Sequence, residues 1–105
     1  MMKLNEAIEY IREKLGEEEL LCQLAEEAAE LAQAALKLRR CITGKNPTPV
    51  TAMQAEANLV EELADVQLVA DVLNRGKRIQ EQLDEISGRK TERWSKRIEE
   101  ARNDH

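Results

Sequence analysis

Aromatic residues are nearly missing from this chain: it has no Phe, one Tyr and one Trp, together 2% of its residues. Ala, Leu, Glu, Lys and Arg dominate instead, with 35% of positions charged, and this is the composition of long helices. An all-α protein is expected. Histidine is limited to the last position, His105, which removes His-based general acid–base catalysis and argues against metal sites that recruit imidazole. The two cysteines, Cys22 and Cys41, are not spaced as a metal-binding pair. On one helix they would stand ~28 Å apart at ~1.5 Å per residue, too far to bridge, so both read as packing residues. No Ser or Cys is paired with a base, so covalent catalysis is not expected.

Long apolar runs are also absent. Nothing approaches the roughly 20 residues needed to span a bilayer, and the opening MMKLNEAIEYIREKLG lacks the apolar stretch of a signal peptide. No membrane partner and a cytoplasmic location are therefore expected. A formal net charge of −5 opposes nonspecific affinity for nucleic acid, which relies on a basic surface. At 105 residues the chain is expected to form a single domain, residues 1–105, near the size at which a second copy helps to complete the core.

Glycine and proline, four and two in number, punctuate the chain clearly. Leu4, Ile8, Ile11 and Leu15 recur at helical spacing and predict a first short helix that stops at Gly16. From Glu17 to about Ile42 neither Gly nor Pro occurs, and Leu20, Leu24, Leu31 and Leu38 share a side, predicting a long second helix ending before Gly44. TGKNPTPVT, residues 43–51, is a connector. Thr51 with Gln54 offers a capping box for a third helix, which ends between Asn74 and Gly76. Residues 77–104 have a helical pattern interrupted at Ser87-Gly88, predicting two shorter helices or one kinked helix with a frayed tail. The architecture expected is an antiparallel helical bundle of four to five helices, completed by oligomerisation, with the second and third helices as its central hairpin.

Two stretches break the apolar pattern with acids. In LAEEAAELAQ, on a helical wheel of ~100° per residue, Glu27 points between Leu20 and Ala34, and Glu30 lies at the edge of the same arc beside Gln23 and Cys41. Glu26 points to solvent. In LVEELADVQLVADVL the apolar stripe is read as Leu59, Leu63, Val66, Ala70 and Leu73, with Glu62 on its flank and Asp65 just beyond. Burying an isolated carboxylate is costly, so several together call for a cation. Pairs three apart on two antiparallel helices can share one, and an all-oxygen set suits Mg²⁺, with Mn²⁺ the alternative. A chain with 21 acids also produces Glu-x-x-Glu on solvated faces by chance; the weight lies on two pairs, on separate helices, joined by a connector that folds them together.

EEAAELA followed by EELADV resembles the MazG-like branch of the all-α nucleoside triphosphate pyrophosphatases, over roughly residues 20–73. That family carries E-x-x-E, a spacer and E-x-x-D on antiparallel helices, which puts metal ligands on Glu27, Glu30, Glu62 and Asp65. The spacer, residues 31–61, is somewhat long for the family, and the aromatic nucleobase pocket of its deoxycytidine-specific members has no counterpart. The resemblance implies a MazG-like fold, a homodimer or homotetramer, and Mg²⁺-dependent hydrolysis of a nucleoside triphosphate to the monophosphate and pyrophosphate. Glu27 or Glu30 would activate water. RKTERWSKRIEE looks like the family's phosphate-binding helix, implying that Lys90, Arg93 and Arg97 contact substrate phosphates; their alternative is a solvated face paired with Glu92, Glu99 and Glu100. Trp94 suits a core or interface anchor better than a base-stacking platform. In the third helix Leu68 and Val72 lie off the stripe, a surplus expected to be covered by another subunit. Two rivals are a non-catalytic helical dimerisation or regulatory module with a structural ion site, and a phosphoribosyl-ATP pyrophosphatase.

Overall fold

The structure, a computed structural model, describes residues 1–74 and 77–103. These form three helices, α1 (Leu4–Thr43), α2 (Ala52–Leu73) and α3 (Lys77–Asn103), with no strand among the described residues. The chain divides into two compact units, Met1–Leu73 and Asn74–His105. The all-α expectation holds; the helix count is three rather than four to five. Gly76 and His105 lie outside the described residues.

The stop expected at Gly16 is a break inside α1. Gly16 has φ 78° and ψ 167°, and the helix resumes at once. Nothing lies within 4 Å of where a Cβ would sit, so the left-handed φ, not crowding, calls for glycine there. Gly44 closes α1 with φ 67° and donates its N–H to the carbonyl of Arg40 at 2.9 Å, a left-handed C-cap. The capping box forms as expected: the Thr51 N–H donates to Gln54 Oε1 at 2.9 Å and the Gln54 N–H to Thr51 Oγ1 at 3.1 Å.

α1 and α2 pack as an antiparallel hairpin. At one end Arg12 Nε donates to the carbonyl of Val72 at 2.7 Å, satisfying a group that the last turn of α2 leaves open. At the other end the Cys41 thiol donates to the Val50 carbonyl at 3.5 Å, and Arg40 Nε to Thr48 Oγ1 at 3.3 Å. The buried residues are Leu20 and Ala34 from α1 with Ala55, Val69 and Val72 from α2. Both cysteines are free, but only Cys41 is half-buried; Cys22, expected as a packing residue, is exposed.

The stripe on α2 is rotated from the one expected. Leu63 is 49% exposed and Ala70 is exposed, while Ala55, Val69 and Val72 are buried. Val72, expected to face another subunit, is only 2% exposed and belongs to this hairpin; Leu68 does face outward, at 48%. Apolar residues occupy more than one side of α2, so the wheel alone did not select the side. The arc turned inward carries half-buried Asn58, Glu62 and Asp65 among its apolar residues.

In the second unit α3 is one continuous helix through Ser87-Gly88, not two pieces. Gly88 does not adopt a positive φ, and Thr91 Oγ1 donates to the Ser87 carbonyl at 2.7 Å. A single interior glycine costs only about 1 kcal/mol relative to alanine, too little to split a helix of this length. Trp94, expected to be an anchor, is 64% exposed.

Candidate metal centre

The antiparallel register that sets Arg12 beside Val72 and Cys41 beside Val50 brings the middle of α1 against the middle of α2. Glu27 and Glu30 stand on one side and Glu62 on the other. Glu27, Glu30 and Glu62 each offer a carboxylate oxygen, and these atoms all lie within 4.8 Å of one another. Glu27 and Glu62 are half-buried and Glu30 is exposed, so the group reaches solvent on the Glu30 side. Asp65, half-buried one turn along α2, falls outside that three-oxygen group, but its charge acts on both Glu27 and Glu62.

Proton affinities record the crowding. Gln23 Nε2 donates to Glu27 Oε1 at 2.8 Å, which favours the ionised form. Loss of water and the charges of Glu30 and Asp65 outweigh that bond, and Glu27 titrates above the ordinary glutamate range. Glu62 is raised as well, first by loss of water, then by the charges of Glu30, Asp65 and Glu27. The second oxygens, Glu27 Oε2 and Glu62 Oε2, are shielded from solvent and have no hydrogen-bond partner. Among the described residues no Lys or Arg forms an ion pair with any of the four acids.

This donor set fits a hard divalent cation. Hydroxyl or ammonium groups, which would occupy the two shielded oxygens in a purely structural network, are lacking, whereas an ion coordinated by oxygen would satisfy both at once. The absence of His and Cys from the group disfavours zinc.

Lys90, Arg93 and Arg97 lie on α3 and are all exposed. Arg93 and Arg97 line a shallow groove with Arg89, Glu92, Lys96 and Glu100, and Lys96 Nζ stands 3.3 Å from Glu92. That surface mixes both signs of charge, as the solvated alternative requires. One residue of the centre escaped sequence reasoning. Gln23, which orients Glu27, was legible as a Gln–Glu pair four apart.

The site therefore belongs to a general class, an oxygen-donor cluster held between two antiparallel helices. No protein-family model, curated protein or solved structure matches the chain.

Proposed function

We propose that this protein is a Mg²⁺-dependent nucleoside triphosphate pyrophosphohydrolase of MazG-like type, yielding a nucleoside monophosphate and pyrophosphate. The observation that carries the reading is the approach of Glu27, Glu30 and Glu62 within 4.8 Å across the hairpin, with two shielded oxygens that lack partners. The pattern E-x-x-E and E-x-x-D supplies the reaction class through the family it resembles.

A divalent ion held by Glu27, Glu30 and Glu62, with Asp65 added as a ligand by the resemblance, would neutralise triphosphate charge and lower the pKa of bound water. The residues divide the remaining work. Gln23 fixes the orientation of Glu27 through Oε1. Glu27 or exposed Glu30 is the candidate base for the attacking water. Half-buried Glu62 and Asp65 hold the opposite wall. Lys90, Arg93 and Arg97 are assigned to substrate phosphates by the resemblance alone. The same resemblance implies a homodimer or homotetramer.

The test is pyrophosphate release with Mg²⁺ from a panel of standard and modified nucleoside triphosphates, with phosphoribosyl-ATP included. Release lost in Glu62→Gln supports the reading. Silence across the panel from folded, Mg²⁺-loaded protein overturns it in favour of an ion-binding module, and turnover of phosphoribosyl-ATP alone replaces the substrate.

A further inference from the structure

The face of α1 turned away from α2 carries a pattern the metal centre does not use. Glu18, Leu21, Ala25, Ala28, Ala32, Leu36 and Arg39 fall within an arc of ~80° at ~100° per residue, and all of them are exposed. Leu21 and Leu36 are half exposed, at 51% and 54%. Exposed alanines alone would be ordinary in a long helix, because alanine is the best helix former. Two leucines flanking them are not explained by propensity.

The order of these residues reads alike from both ends. Outward from the Ala28–Ala29 bond, Ala25 mirrors Ala32, Leu21 mirrors Leu36, and acidic Glu18 mirrors basic Arg39. We infer that this face is a twofold seam between two copies of the chain, their α1 helices antiparallel and crossing at Ala28–Ala29. Each leucine then meets the partner's leucine at the mirrored position, the small residues allow close approach of the axes at the centre, and opposite charges close both ends.

Charge fixes the direction. One end of the face adjoins Glu17, Glu18 and Glu19; the other adjoins Arg39, Arg40 and Lys45, and no acid occurs between Glu30 and Glu56. Parallel pairing would set like charges together, whereas antiparallel pairing sets unlike charges together and opposes the helix dipoles favourably. Among the described residues neither Glu18 nor Arg39 has an ion pair within its own chain, so both are available to a second copy. Arg39 and Leu36 open onto one groove with Arg40, Thr43 and Lys45, which gives the partner's acidic end a basic cradle. The inference stands apart from the hydrolase reading, since it needs no turnover.

Sedimentation equilibrium of the full chain tests it, with far-UV circular dichroism confirming that each variant stays helical. Wild type is expected to sediment as an even-numbered oligomer, and Ala28→Glu, an exposed helical substitution at the crossing point, to halve its mass. Glu18→Arg and Arg39→Glu should each weaken association at least tenfold, and the two together should restore it. A monomeric wild type, an unchanged mass for folded Ala28→Glu, or a double variant no better than the single ones would each overturn the proposal.

Discussion

The spacing E-x-x-D occurs twice in this chain, as Glu62–Asp65 on α2 and as Glu81–Asp84 on α3, and the two occurrences have different surroundings. Glu62 and Asp65 are half-buried on the arc that faces α1, where Glu27 and Glu30 stand opposite. Glu81 and Asp84 are exposed, and Asp84 takes an ordinary surface hydrogen bond from Gln80 Nε2 at 2.9 Å. The lesson is that spacing puts two acids on one side of a helix, but a second acid-bearing helix is what removes water and concentrates charge. A motif becomes a site through its neighbour.

The largest expected effect contrasts these two pairs directly. Glu62→Gln should lower Mg²⁺-dependent pyrophosphate release by roughly a hundredfold or more, while Glu81→Gln stays within about twofold of wild type. Equal losses in steady-state assays would erase the distinction. Packing offers the next contrast. Leu20, only 2% exposed, should cost about 3 kcal/mol when replaced by alanine, whereas Leu83→Ala, at a position 51% exposed, should cost about 0.5 kcal/mol; urea unfolding measures both.

Metal binding sharpens the comparison further. Mg²⁺ or Mn²⁺ at about a hundredfold excess over its Kd should raise the melting temperature by roughly 10 °C. The gain should survive Glu81→Gln, vanish in Glu62→Gln and be reversed by a chelator. Glu81→Gln losing the gain would place the ion elsewhere. The smallest effect concerns protons in metal-free protein. Glu27 and Glu62 hold protons more tightly in the folded chain than in the unfolded one, so their ionisation works against folding. That penalty is absent below the ordinary glutamate range near ~4.3 and complete above the raised values. Thermal melts across this window should therefore show wild type losing stability relative to Glu62→Gln as pH rises. A constant difference would mean that Glu62 does not feel the cluster.

Much of the fold was legible because its signals are local. Gly16, Gly44 and the Thr51–Gln54 box act within a turn of themselves, and each does in the structure what its residue type requires. Glu27 was placed correctly because α1 has one clear inward side, marked by buried Leu20 and Ala34 on either side of its direction. On α2 the same reasoning selected Leu63 and Ala70, which face outward, and put Glu62 on the flank of a stripe in which it stands among the inward residues. Ser87-Gly88 misled for a related reason: one glycine weakens a helix without ending it.

By itself the sequence determined an all-α chain, the end of α1 before Gly44, the start of α2 at the Thr51–Gln54 box, and the spacing that puts acids on the inward side of α1. These follow from backbone preferences and from a period of ~3.6 residues, which need no distant partner. Only the tertiary structure decided which side of α2 turns inward and that carboxylates from two helices meet within 4.8 Å. That choice depends on burial summed over both helices, a quantity that comes into being when they pack and that no window along one helix contains.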